Sequence, residues 1–162
     1  MKHVPLALAL VGVVAALSLR RTRWAVPSLW VSRVAYALLV LQAPAYFLAK
    51  SGFRVSSPVC EWTFGLALAT HSLTNYPHMI LFTLFFLLTY AQLPGISKAI
   101  IWSTAATVAM GLLVELAQAV TRQGHCRMRD LIPDSVGALV GFVVVMAGTK
   151  LSQYKQRQRS FS

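Results

Sequence analysis

Only four acidic side chains serve a chain of 162 residues, and three of them crowd between Glu115 and Asp134. Glu115 and Gln118 stand three apart, so on a helix they share one face. Asp130, Asp134, Gly137 and Gly141 follow at i, i+4, i+7 and i+11, again one face. An ionisable group inside a membrane helix costs at least about 2.5 kcal/mol and is a functional hypothesis by default. On that basis Glu115, Asp130 and Asp134 are candidate acid–base groups. His78, which opens an earlier apolar run, is their candidate partner or hydrogen-bond donor. Arg127 and Arg129, beside a helix start, suit a phosphate headgroup, with Gln118 as a further binding residue.

Each assignment has a structural counterpart. Glu115 paired with Arg127 or Arg129 would simply hold helices together. Carboxylates at a helix start cap free N–H groups and complement the dipole, which accounts for one aspartate better than for two. Pro133 fits such a first turn. A single interfacial histidine is often a tolerated polar residue, and His71 and His125 are weaker candidates. The ligand types suit a metal, but no dense motif such as HExxH occurs, so no metal or other cofactor is expected. GxSxG, Walker and GxGxxG patterns are also missing from the sequence, and Ser135 is a weak nucleophile candidate.

The elements that must hold these groups are apolar. Hydrophobic residues make up 57% of the chain and charged residues 12%, outside the soluble range. The expectation is a single all-α membrane domain over 1–162, a bundle of about five (four to five) transmembrane helices. The five apolar runs are Val4 to Leu19, roughly Leu29 to Ala49, His78 to Leu93, Ala99 to Val120 and Ser135 to Thr149. A span needs about 20 apolar residues. The second and fourth runs meet that, and the others need flanking residues. The first run has the basic start of a signal peptide. Arg20, Arg21 and Arg23 follow it at once without a clear cleavage site, which favours a retained helix.

The net charge of +11 gathers at the ends of the runs, as for neighbours of anionic lipid, and no polar domain exists to carry nucleic-acid binding. Arg20, Arg21, Arg23, Arg33, Lys98 and the tail residues Lys150, Lys155, Arg157 and Arg159 outnumber Lys2, Lys50, Arg54, Arg122, Arg127 and Arg129. That bias predicts a multi-pass cell-membrane protein with its N-terminus outside and a basic cytoplasmic tail over 150–162. The site then faces outward. So does Ser51 to Pro77, where Trp62 to Leu66 is apolar enough for a short interfacial helix. Cys60 and Cys126 both fall in external loops. They are a disulfide candidate; the alternative is two unpaired small side chains.

Gly137 and Gly141 form a small-xxx-small pattern, best read as helix packing. Taken with Glu115-x-x-Gln118, Arg127-x-Arg129-Asp130, Asp134-x-x-Gly137-x-x-x-Gly141 and His78 in HMILFTLFFLLTY, the sequence resembles the VanZ-like family of small membrane proteins. The likeness covers about half the chain, from His78 to Gly141, within a core of about 78–149. The sequence departs from the family in carrying Asp134 where asparagine is usual, and Thr74-Asn75-Tyr76-Pro77 in place of an Asp-Lys. The resemblance implies an envelope membrane protein related to teicoplanin resistance, with no agreed biochemical activity.

Three functions compete. One is binding or modification of a lipid-linked or anionic-headgroup substrate at the outer face. A second is a non-enzymatic accessory protein whose polar cluster is structural. A third is a small lipid or solute transporter, for which only Gln42 and Thr107 are suitably mid-depth. Whether the protein is an enzyme stays open at this stage, as does its oligomeric state.

Overall fold

A computed structural model describes residues 4–18, 25–63, 65–94 and 96–160. The basic start with Lys2, the cluster Arg20, Arg21 and Arg23, and residues Leu19, Phe64 and Gly95 lie outside the described residues. Every apolar run becomes a helix: α1 Val4–Ser18, α2 Ala25–Lys50, α4 Tyr76–Gln92, α5 Ala99–Thr121 and α6 Leu131–Ser160. The short α3, Leu66–Ser72, lies between α2 and α4, and a 3-10 turn, Met128–Asp130, leads into α6. Among the described residues three stretches are long and apolar enough to cross a membrane, Trp30–Lys50, Ala99–Thr121 and Met128–Arg159. At 17 residues, α4 rises about 26 Å, at the short end of what crosses a ~30 Å hydrocarbon core, and α1 is bounded on both sides by residues outside the described ones. Thus the expected bundle of about five is present as helices, and among the described residues three of them qualify as spans by length and composition.

The short α4 is the centre of the bundle. Phe82, Phe85, Phe86, Leu88, Thr89 and Ala91 are all buried, as expected of a helix that is apolar all round. It runs parallel to α6, with residue pairs ascending together. The Thr83 hydroxyl donates to the Gly137 carbonyl at 3.0 Å, and Gly141 lies against Phe86. On its other side Tyr36 of α2 stacks on Phe85 at 5.4 Å, and Gly12 of α1 fits between Leu88 and Ala35. Gln92 of α4 donates to Ser32 at 2.6 Å, so α2 runs antiparallel to α4.

Two guanidinium or ammonium groups sit over aromatic rings near the ends of α2, Arg33 over Trp30 and Lys50 over Tyr46. Such pairs suit the two membrane–water interfaces. The 21 residues from Trp30 to Lys50 rise about 30 Å, one hydrocarbon thickness.

Two expected boundaries move. The short helix expected in this loop forms at Leu66–Ser72, beginning where the stretch Trp62 to Leu66 ends. Upstream of it the backbone at Glu61 is held in a bridge, since the Glu61 N–H donates to the Cys126 carbonyl and the Met128 N–H to the Glu61 carbonyl. The final run begins at Leu131, not Ser135, and stays helical through the basic tail to Ser160.

Candidate functional site

Three helix ends converge at one end of the bundle: the start of α4, the end of α5 and the start of α6. Because α6 begins at Leu131, Asp134 lies within the first turn, past the position that caps the helix. It therefore does not cap. Its carboxylate is buried and accepts a hydrogen bond from His78 Nδ1 at 3.1 Å. The imidazole is a third exposed, and Nδ1–H facing the carboxylate leaves Nε2 for another partner. Close approach here depends on Gly111 of α5. A Cβ on Gly111 would lie 2.9 Å from Asp134 Oδ2.

Glu115, one turn along α5 from Gly111, is also buried. Its Oε2 accepts the backbone N–H of Arg127 at 2.7 Å. The expected structural partner, an arginine side chain, is not used. Gln118 instead packs against Gly124, a residue at φ +102° that glycine adopts readily. Asp130 lies in the 3-10 turn with its N–H on the Arg127 carbonyl at 2.8 Å. No side-chain hydrogen bond places it in the His78–Asp134 couple. Among the described residues, no three His, Cys, Asp or Glu side chains group as a metal site.

Both arginines turn to a residue the sequence reading overlooked. Glu61 meets Arg127 Nε at 3.4 Å and Arg129 Nη1 at 3.3 Å. It also accepts from the Thr63 hydroxyl at 2.6 Å. That hydroxyl, with the charges of Arg129, Arg127 and His125, holds the Glu61 carboxyl below its ordinary value, although desolvation pushes the other way. The pairing consequently persists above the usual carboxylate range and is lost as pH falls through that lowered value. The signal was present in the order of residues. Cys60 and Cys126 are joined by a disulfide with Cα atoms 4.7 Å apart, and their next neighbours, Glu61 and Arg127, form a parallel bridge.

The segment from Arg54 to Thr63 thus forms a strap across this end. Ser56 anchors it further through N–H and hydroxyl bonds to the Val120 carbonyl at 2.8 and 3.1 Å. For a free chain, closing a loop of this sequence separation, 66 residues, is worth about 4 kcal/mol. Membrane-embedded helices already hold its ends close. Cys60→Ser should therefore loosen the strap and spare the bundle. Hydrogen exchange should rise over 54–63 and 122–128 while α4 and α6 stay protected; unchanged exchange in the strap would contradict this.

Comparisons with curated proteins and with solved structures give no match. The VanZ/LLP1 family matches residues 5–149, so the likeness extends well upstream of His78 and takes in α1 and α2. Membrane-length helices, the polar face of α5 and α6, and this match along most of the chain agree: the protein belongs to the VanZ/LLP1 family.

Proposed function

We propose that this end of the bundle faces outward and binds or modifies an envelope substrate, lipid-linked or with an anionic headgroup, in a role related to teicoplanin resistance. The carrying observation is the couple of buried Asp134 and part-exposed His78. A buried carboxylate that fixes Nδ1–H orients the ring and makes Nε2 a base or hydrogen-bond acceptor. Glu115, buried at the same end, is the second acid–base group of the site, and its Oε2 also holds the Arg127 backbone N–H. The disulfide at the same end favours an oxidising, extracytoplasmic side. The exposed Lys150 and Lys155 at the far end of α6 suit the cytoplasmic side.

The test is a strain producing Glu115→Gln or His78→Ala in place of the native protein. Gln can still accept the Arg127 N–H, so the membrane level of Glu115→Gln should match wild type. Teicoplanin susceptibility and envelope lipid profile should change in both strains. Wild-type behaviour from both, at normal protein level, would overturn the reading. A second reading, a non-enzymatic accessory protein, is favoured by the pairing of both arginines with Glu61 of the same chain. It predicts that Glu115→Gln and His78→Ala are silent, whereas leucine at Gly141 disrupts assembly.

A further inference from the structure

Between α3 and the start of α6 lies an open cavity of about 360 Å³ lined by Gly65, Leu66, Ala69, Arg129 and Ile132. Its size falls in the range of ligand sites. Its walls are aliphatic apart from one cation, and that cation is not buried alone. The Arg129 side chain is 15% exposed and rests on Glu61, whose own side chain is 42% exposed. Arg127 Nε is within 3.4 Å of the same carboxylate yet makes no hydrogen bond although that atom is buried. Two guanidiniums are therefore held by one solvent-accessible carboxylate in a loose geometry. An exposed ion pair of this kind is weakly held, and phosphate offers both arginines better-fitting, bidentate acceptors. Leu66, which lines the cavity, is largely exposed, as are Val55, Val59 and Trp62 on the strap, apolar surface suited to the lipid interface.

We propose that this cavity seats one anionic glycerophospholipid. Its phosphate lies on Arg127 and Arg129, its acyl chain starts along Leu66, Ala69 and Ile132, and Glu61 is the carboxylate that the phosphate displaces. The inference rests on the reading above in placing this end at the lipid interface. It adds the ligand class and a resident competitor, and it does not require acid–base chemistry at His78.

The full chain, purified in neutral detergent, can be titrated with phosphatidylglycerol or with phosphatidylcholine of the same acyl chains, and bound lipid counted by native mass spectrometry. Wild type should retain one phosphatidylglycerol in preference to phosphatidylcholine. Glu61→Gln should tighten that binding, by up to about fivefold for loss of one exposed ion pair. Arg129→Gln should abolish the preference, and Arg129→Lys should keep part of it. An intact Cys60–Cys126 bridge in each variant serves as the folding control. Equal binding of the two lipids, or unchanged or weaker phosphatidylglycerol binding in Glu61→Gln, would overturn the proposal. Release of the lipid by millimolar inorganic phosphate would also overturn it, by assigning the site to a free anion. Absence of lipid binding beside an altered phenotype in Glu115→Gln would remove this inference alone and leave the proposed function standing.

Discussion

Gly137→Leu is expected to remove most of the folded protein from the membrane. A Cβ at Gly137 would lie 2.5 Å from the Met79 carbonyl oxygen, 3.0 Å from Phe82 Cβ and 3.1 Å from the Thr83 nitrogen. Two of those three atoms are backbone of the central helix and cannot swing aside. Overpacking a filled interface costs about 1–3 kcal/mol and sometimes more. Leucine would in addition push α4 from α6, stretching the Thr83–Gly137 hydrogen bond and, nearly one turn away, the His78–Asp134 contact. The expected total reaches the upper end of that range or exceeds it, a large share of the ~5–15 kcal/mol that holds a typical domain. Gly141→Ala should be milder, because it adds a single methyl whose nearest neighbours, at 2.7 to 3.0 Å, are side-chain atoms of the buried Phe86 and not helix backbone. Gly148→Leu is the control, with no atom within 4 Å of an added Cβ. Membrane-fraction level and thermal denaturation in detergent measure all three. A wild-type melting temperature for Gly137→Leu would refute the close helix approach.

Asp134→Asn carries the second large effect. The substitution preserves shape and leaves an oxygen that can accept the His78 Nδ1–H, but it removes the charge that strengthens the bond. Charge-assisted hydrogen bonds are worth about 1.5–3 kcal/mol against about 1 kcal/mol for neutral ones. A stability loss of about 1–2 kcal/mol is expected by that difference. If the couple acts as the proposed acid–base group, the functional loss should be about 10²- to 10⁴-fold. His78→Ala and the double variant complete a cycle. Residues in direct contact show coupling of about 0.5–3 kcal/mol, and distant ones add independently. Additive stabilities would show that the 3.1 Å contact contributes nothing. Coupled stabilities with unchanged teicoplanin susceptibility would assign the couple to structure.

Much of the bundle is legible in the linear sequence for a simple reason. An apolar run within hydrocarbon must satisfy its backbone locally, so it becomes a helix wherever it is packed. The expected run Ala99 to Val120 and the observed Ala99–Thr121 nearly coincide on that account. Candidate polar residues stand out equally well, because charges are so scarce in such a chain that Glu115 and Asp134 invite explanation. Span length is less legible. His78 to Leu93 reads as a transmembrane segment, and α4, central in the bundle, is 17 residues long, at the lower limit for one.

Partner choice was the part that the sequence could not supply. Capping and functional pairing both fit an aspartate near a helix start, and only the start of α6 at Leu131 excludes capping for Asp134. Two arginines beside a helix suggest an anion site, but Glu61, far upstream, occupies them. Gly111 reads as one more small residue on an apolar face until α6 is laid against it.

By itself, then, the sequence determined that the chain is helical, that it belongs at a membrane and which few side chains are costly enough to need a reason. Tertiary structure decided which of them meet: His78 with Asp134, Glu115 with the Arg127 backbone, and Glu61 with both arginines. The division has one physical cause. Helix formation in hydrocarbon is satisfied within a few residues along the chain, whereas each of those polar contacts joins separate elements and exists only when the bundle has closed.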